Sequence, residues 1–159
     1  MPNQRVVFEN ESIKGSISLK GSTIDDLIFK KYTETLNGTD HIILLNPREA
    51  QNGYFVETGW ATNSKNVDVP NAQTVWQIEG NNKLTPNRPV NLIWENDLGI
   101  KFQKKISLDN QYLFTIDQSI TNSTNNKYDF YSYGQIIRNK IPQISNFYIL
   151  HEGPIATLD

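Results

Sequence analysis

Along this chain apolar residues recur at every second position more often than at every third or fourth. In "GIKFQKKISL" the residues Ile100, Phe102, Ile106 and Leu108 fall on even positions, while Lys101, Gln103, Lys105 and Ser107 fall on odd ones. Side chains alternate faces along an extended backbone, so this spacing predicts a half-buried strand. "QYLFTIDQSI" repeats the pattern with Tyr112, Phe114, Ile116 and Ile120, and Asp109-Asn110 supplies the turn of an antiparallel hairpin. "VNLIWEN" places Val90, Leu92 and Trp94 on one face ahead of an Asn96-Asp97-Leu98-Gly99 turn, which extends the hairpin to a three-stranded meander. Upstream, "KGSISLKG" sets Ile13, Ile17 and Leu19 against Lys14, Ser16, Ser18 and Lys20. "TVWQIEGNNK" and "YDFYSYGQII" add two further strand candidates, and Pro86 and Pro89 punctuate the chain between them. Closely spaced turns between short alternating segments predict an all-β sandwich in a single domain.

One segment departs from this pattern. "STIDDLIFKKYTETLNG" has Ile24, Leu27, Ile28 and Lys31 at helical spacing, Thr23 with Asp26 three residues on as a capping box, and Asn37-Gly38 as a stop. Its local pattern predicts a helix.

Composition narrows the functional classes. With 159 residues the chain is long enough to bury a core, and its 15 basic against 17 acidic side chains give a formal charge of −2. A sequence-independent nucleic-acid binder displaces counterions from phosphates with an excess of Lys and Arg, and that excess is missing. No cysteine is present, so disulfides, thiolate metal sites and cysteine nucleophiles are excluded. The apolar runs from Ile42 to Leu45 and from Phe147 to Leu150 fall far short of the ~20 residues that cross a bilayer as a helix. No signal peptide is visible at Met1-Pro2-Asn3; if the native protein is exported, the exporting segment is expected outside this chain.

Candidate chemistry is sparse. His41 and His151 are the only histidines, and neither stands in a metal-ligand spacing. His151-Glu152 reads first as part of a turn satisfied by backbone, with general acid–base chemistry as the alternative. Asp25-Asp26 offers two carboxyl groups of the kind glycosidases use, although adjacent acids near a segment start more commonly make a solvated turn. Trp60, Trp76 and Trp94, with seven tyrosines, could build a sugar-stacking platform. The phase of Trp76 and Trp94 within their strands instead assigns them to the core. Three Asn-x-Ser/Thr triplets begin at Asn10, Asn37 and Asn122, as chance allows in an Asn-rich chain. No nucleophile elbow or phosphate-binding glycine loop occurs. No catalytic, cofactor-binding or metal-ligating residue is therefore assigned.

The segments "KGSISLKGSTIDDLIFKKYTETL", "GYFVETGWAT", "VPNAQTVWQIEGNNKLTPNRPVNLIWEN" and "FYILHEGPIATLD", in that order, carry a further signal. Together they resemble the large periplasmic domain of the YidC family of bacterial membrane protein insertases, most closely its alphaproteobacterial branch, over nearly the whole chain. The resemblance implies a β-supersandwich of the galactose-mutarotase-like kind, with mostly antiparallel strands and little helix, and an extended conformation for "TIDDLIFKKY". It implies a non-catalytic domain without cofactor, a docking or scaffold surface on the periplasmic face of the inner membrane. Its expected partners are Sec translocase components and nascent membrane proteins. The domain is expected to be excised from a larger multi-span protein that continues into an interfacial helix and the membrane. Phe147, Tyr148, Ile149, Leu150, His151, Glu152, Gly153 and Pro154 then form a family-like structural segment, in which His151-Glu152 is expected to be part of a buried turn with Gly153-Pro154 fixing the backbone. A carbohydrate-binding module is the alternative from a different class, and a hydrolase using Asp25 or Asp26 is a third.

Overall fold

The computed structural model describes residues 4–140 and 155–156. Among these residues it contains eleven strands and no helix. They are β1 (Arg5–Glu9), β2 (Ile13–Ser18), β3 (Thr23–Thr33), β4 (His41–Leu45), β5 (Tyr54–Thr62), β6 (Gln77–Glu79), β7 (Lys83–Leu84), β8 (Val90–Glu95), β9 (Ile100–Leu108), β10 (Phe114–Asn122) and β11 (Phe130–Arg138). One sheet runs β11-β5-β3-β2-β1-β7, with β4 also paired to β3. The second runs β10-β9-β8-β6. Every pairing is antiparallel except the short contact between β1 and β7. The expected all-β, mostly antiparallel sandwich is thus observed.

The meander read from alternation is β8-β9-β10, with Ile106 opposite both Val90 and Ile116. Its turns are built by short polar side chains. The Asn96 side-chain oxygen accepts from the backbone N–H groups of Leu98 and Ile100, and Gly99 follows at φ +81°, a conformation that penalises a Cβ. Asp109 likewise accepts from the N–H groups of Gln111 and Leu113, closing the turn into β10.

The helix expected from residues 23–38 is not formed. Thr23–Thr33 is strand β3, the longest among the described residues, and is extended as the family resemblance implies. It lies between β2 on one side and β4 and β5 on the other, so its backbone groups find partners on both edges. Tertiary pairing of this kind overrides a local helical pattern. A register shift opposite Ser16 and Ile17 breaks the strict alternation that would have announced a strand.

The core lies between the two sheets. Val6 and Phe8 of β1, Ile17 of β2, Leu92 of β8, and Phe102 and Ile106 of β9 are fully buried in it. Each such side chain contributes about 1.5–3 kcal/mol relative to its exposed state. Gly15 lets β2 approach β3 closely, since a Cβ there would stand 1.9 Å from the Asp26 carbonyl oxygen. The segment 147–154, with His151-Glu152, lies outside the described residues.

Candidate functional site

The side of the sandwich where β10 faces β5 and β11 opens into a groove of about 600 Å³. Thr58 and Trp60 come from β5, Ile116 and Ile120 from β10, and Phe130 and Ser132 from β11. The alternation that buries one face of β9 continues in β10, but its inward residues Ile116, Gln118 and Ile120 are only half buried. Among the described residues β10 pairs only with β9, and β11 only with β5. The groove is therefore flanked by two strands that each have one paired edge, the arrangement used when a sheet accepts an extended segment. Gln118 fixes its width by donating from Nε2 to the Gly59 carbonyl at 3.1 Å.

Beneath the groove an aromatic cluster joins the sheets. The rings of Trp60 and Trp76 stack with centroids 6.3 Å apart, and Phe102 meets Trp60 at 5.3 Å and Phe130 at 5.5 Å, both edge to face. Such pairs add about 0.5–1.5 kcal/mol each beyond the area they bury.

One charge is set into this cluster. Lys104 sits on the inward phase of β9, between Phe102 and Ile106, and is 1% exposed. Its ammonium donates to the Thr58 carbonyl at 2.5 Å and to Ser22 Oγ at 3.2 Å, and lies 4.8 Å from the Trp76 ring centroid. Burial pulls its pKa down to about 8, opposed by the charge of Glu57. Glu57 is itself held by Arg48 and by the side-chain amide of Gln135. Tyr133 lies over Gly59, where its ring fills the space a side chain would need, and burial raises its phenol above the usual range.

The residues singled out in the sequence do not converge on this groove. His41 is exposed on β4, with Nδ1 3.4 Å from the Tyr32 carbonyl. Asp25 is buried in an ion pair with Arg5, and Asp26 accepts from Ser16 Oγ at 2.6 Å. Burial outweighs Arg5 and raises the Asp25 pKa. The two carboxyl groups are thus committed to separate partners within the larger sheet. Trp76 packs in the core as its phase predicts, and Trp94 packs against it. Trp60 is 5% exposed, so the stacking platform does not form from its face. Asn10 is 8% exposed and makes four hydrogen bonds that tie β1 and β2 to the turn before β10, a structural role that its triplet obscures. Lys104 was missed, although its position on the apolar phase of "GIKFQKKISL" was visible.

The sequence matches the profile of the YidC periplasmic domain over residues 5–159. The chain belongs to the YidC periplasmic domain family. It is 57% identical over 157 residues to the membrane protein insertase YidC of Pelagibacter ubique, covering 99% of this chain and 28% of that protein. The membrane protein insertases YidC of Rickettsia bellii and Mesorhizobium japonicum are 41% and 40% identical, covering 98% and 97% of this chain and 28% and 26% of theirs. The chain spans about a quarter of the length of these relatives. Membership in the YidC family places the domain on the periplasmic face of the inner membrane.

Proposed function

We propose that this chain is an accessory domain of a larger multi-span YidC insertase and serves it as a non-catalytic docking surface for proteins entering the inner membrane. The relatives are named as insertases, and the chain corresponds to about a quarter of them. Insertion itself, alone or with the Sec translocase, belongs in this reading to the membrane-embedded remainder. The observation that carries a docking role is the groove between β10 and β11, about 600 Å³ in volume, where two strand edges flank a lining that mixes apolar Trp60, Ile116, Ile120 and Phe130 with polar Thr58, Gln118, Ser119 and Ser132. Backbone groups on a strand edge bind extended polypeptide with little sequence demand, while the floor accepts alternate side chains. That combination suits a surface that meets many different partners.

The test is photo-crosslinking in membranes from Ser119 and Ser132, which line the groove. Adducts with translocase subunits or with nascent membrane proteins are expected from these positions, and not from Lys14 on β2. Equal adduct patterns from all three positions, or none from the groove, would count against the reading.

A further inference from the structure

Two Asn-Gly pairs occur in the chain, Asn37-Gly38 and Asn52-Gly53. An asparagine followed by glycine carries its own reaction partner. Its side-chain carbonyl carbon can turn toward the backbone nitrogen of the next residue, and glycine has no Cβ to screen that nitrogen. Both asparagines are exposed, so the difference between the pairs lies in how the fold holds their glycines.

Asn37-Gly38 lies at the tip of the hairpin that joins β3 to β4. The Glu34 N–H donates to the Asp40 carbonyl at 2.9 Å and closes the base of this tip. Inside it the Gly38 N–H donates to the Thr35 carbonyl at 3.1 Å, and the neighbouring Leu36 side chain is fully exposed. Asn52-Gly53 is braced on both sides. Gly53 is buried, its N–H donates to the Ala50 carbonyl at 2.9 Å, and its carbonyl accepts from the Asn139 N–H at 2.8 Å. Tyr54, the next residue, exchanges backbone hydrogen bonds with Asn46 at 2.9 Å and 3.0 Å. The Asn139 side chain covers Gly53, with Nδ2 donating to the Arg48 carbonyl at 2.9 Å. Ring closure at Asn52 has to swing the Gly53 nitrogen out of this frame, whereas ring closure at Asn37 disturbs one turn at a solvated tip.

We infer that Asn37 is a site of spontaneous deamidation and that the fold protects Asn52. The Gly38 nitrogen loses its proton and attacks Asn37 Cγ, forming a C–N bond, while the side-chain nitrogen leaves as ammonia with that proton. Water then opens the succinimide ring at either carbonyl. One opening gives aspartate, and the other gives isoaspartate, in which the backbone passes through Cβ and Cγ. Either product adds one negative charge to the formal −2 of the chain, at a tip that already carries Glu34 and Asp40. The isoaspartyl form also inserts one carbon into the turn that the Glu34–Asp40 hydrogen bond closes. This chemistry is independent of the docking role.

The test is incubation of the folded 159-residue chain in mildly alkaline buffer, followed by tryptic digestion and mass spectrometry. Cleavage after Lys31, Arg48 and Lys65 places the two pairs on separate peptides, residues 32–48 and 49–65. A mass gain of about 1 Da at Asn37, resolved by chromatography into aspartyl and isoaspartyl forms, is expected at least about tenfold faster than at Asn52. In urea the two rates should agree within about twofold, because each then depends on the same dipeptide. Gly38→Ala should slow conversion of Asn37 at least about tenfold, since its methyl screens the nitrogen and meets the rotatable side chain of exposed Thr35. Equal rates in the folded chain, or faster conversion at Asn52, overturn the inference. So does a folded chain that stays unchanged at Asn37 while the unfolded one converts, because the hairpin then protects both pairs. A gap between the sites that persists in urea removes the fold from the explanation, and a Gly38→Ala rate equal to that of the parent removes the Gly38 nitrogen as nucleophile.

Discussion

The Lys104 ammonium stands 4.8 Å from the centre of the Trp76 ring, inside the layer where the two sheets meet. Its proton is held there by one carbonyl, one hydroxyl and two aromatic faces rather than by a carboxylate in direct contact. The native pKa of about 8 lies below the ordinary value of 10.5, so the unfolded chain keeps a proton that the fold gives up between those values. Stability therefore rises with pH across that window. Tyr32 and Tyr133 ionise later in the fold than in the unfolded chain and oppose the rise above pH 10. Urea unfolding is expected to show a gain of about 2 kcal/mol from pH 8 to 10. Lys104→Met should remove the gain and raise stability near pH 7 by about 1–2 kcal/mol, as replacement of a buried charge by an apolar isostere commonly does.

Phe102 connects the aromatic layer, touching Trp60, Trp94 and Phe130. Phe102→Ala is expected to cost about 3–5 kcal/mol in the same assay, by lost transfer energy and the cavity left behind.

Gly15 tests the close approach of β2 to β3. A Cβ at this position collides with the Asp26 backbone and with the Phe8 ring. Gly15→Ala should destabilise by about 3 kcal/mol, whereas Gly80→Ala, with open space around it but a φ of +85°, should cost about 1 kcal/mol.

Asn10 uses both ends of its amide. Nδ2 donates to the carbonyls of Asp109 and Gln111, and Oδ1 accepts from the N–H groups of Ser12 and Ile13. Asn10→Asp keeps the shape but turns two donors into a carboxylate facing two carbonyl oxygens. A loss of about 2–3 kcal/mol near neutral pH is expected from thermal or urea unfolding.

The strands that alternate cleanly, β8, β9 and β10, were legible because one face of each meets the core and the other meets solvent. Strand β3 was not legible from its own pattern, since partners on both edges and a register shift replace strict alternation; the family resemblance supplied what the local pattern withheld. The buried side chain of Lys104 hid among the charges of "GIKFQKKISL", where composition speaks of solvent and only phase speaks of the core. The groove was not foreseen. It is assembled from β5, β10 and β11, which are far apart in sequence, so no single spacing encodes it.

Fractionation of the source cells, probed with antibody against this chain, tests the insertase-domain reading most directly. The expected result is a band several times heavier than 18.2 kDa that stays in the inner membrane after carbonate washing and is digested by protease from the periplasmic side. A band near 18.2 kDa in a soluble fraction would contradict it.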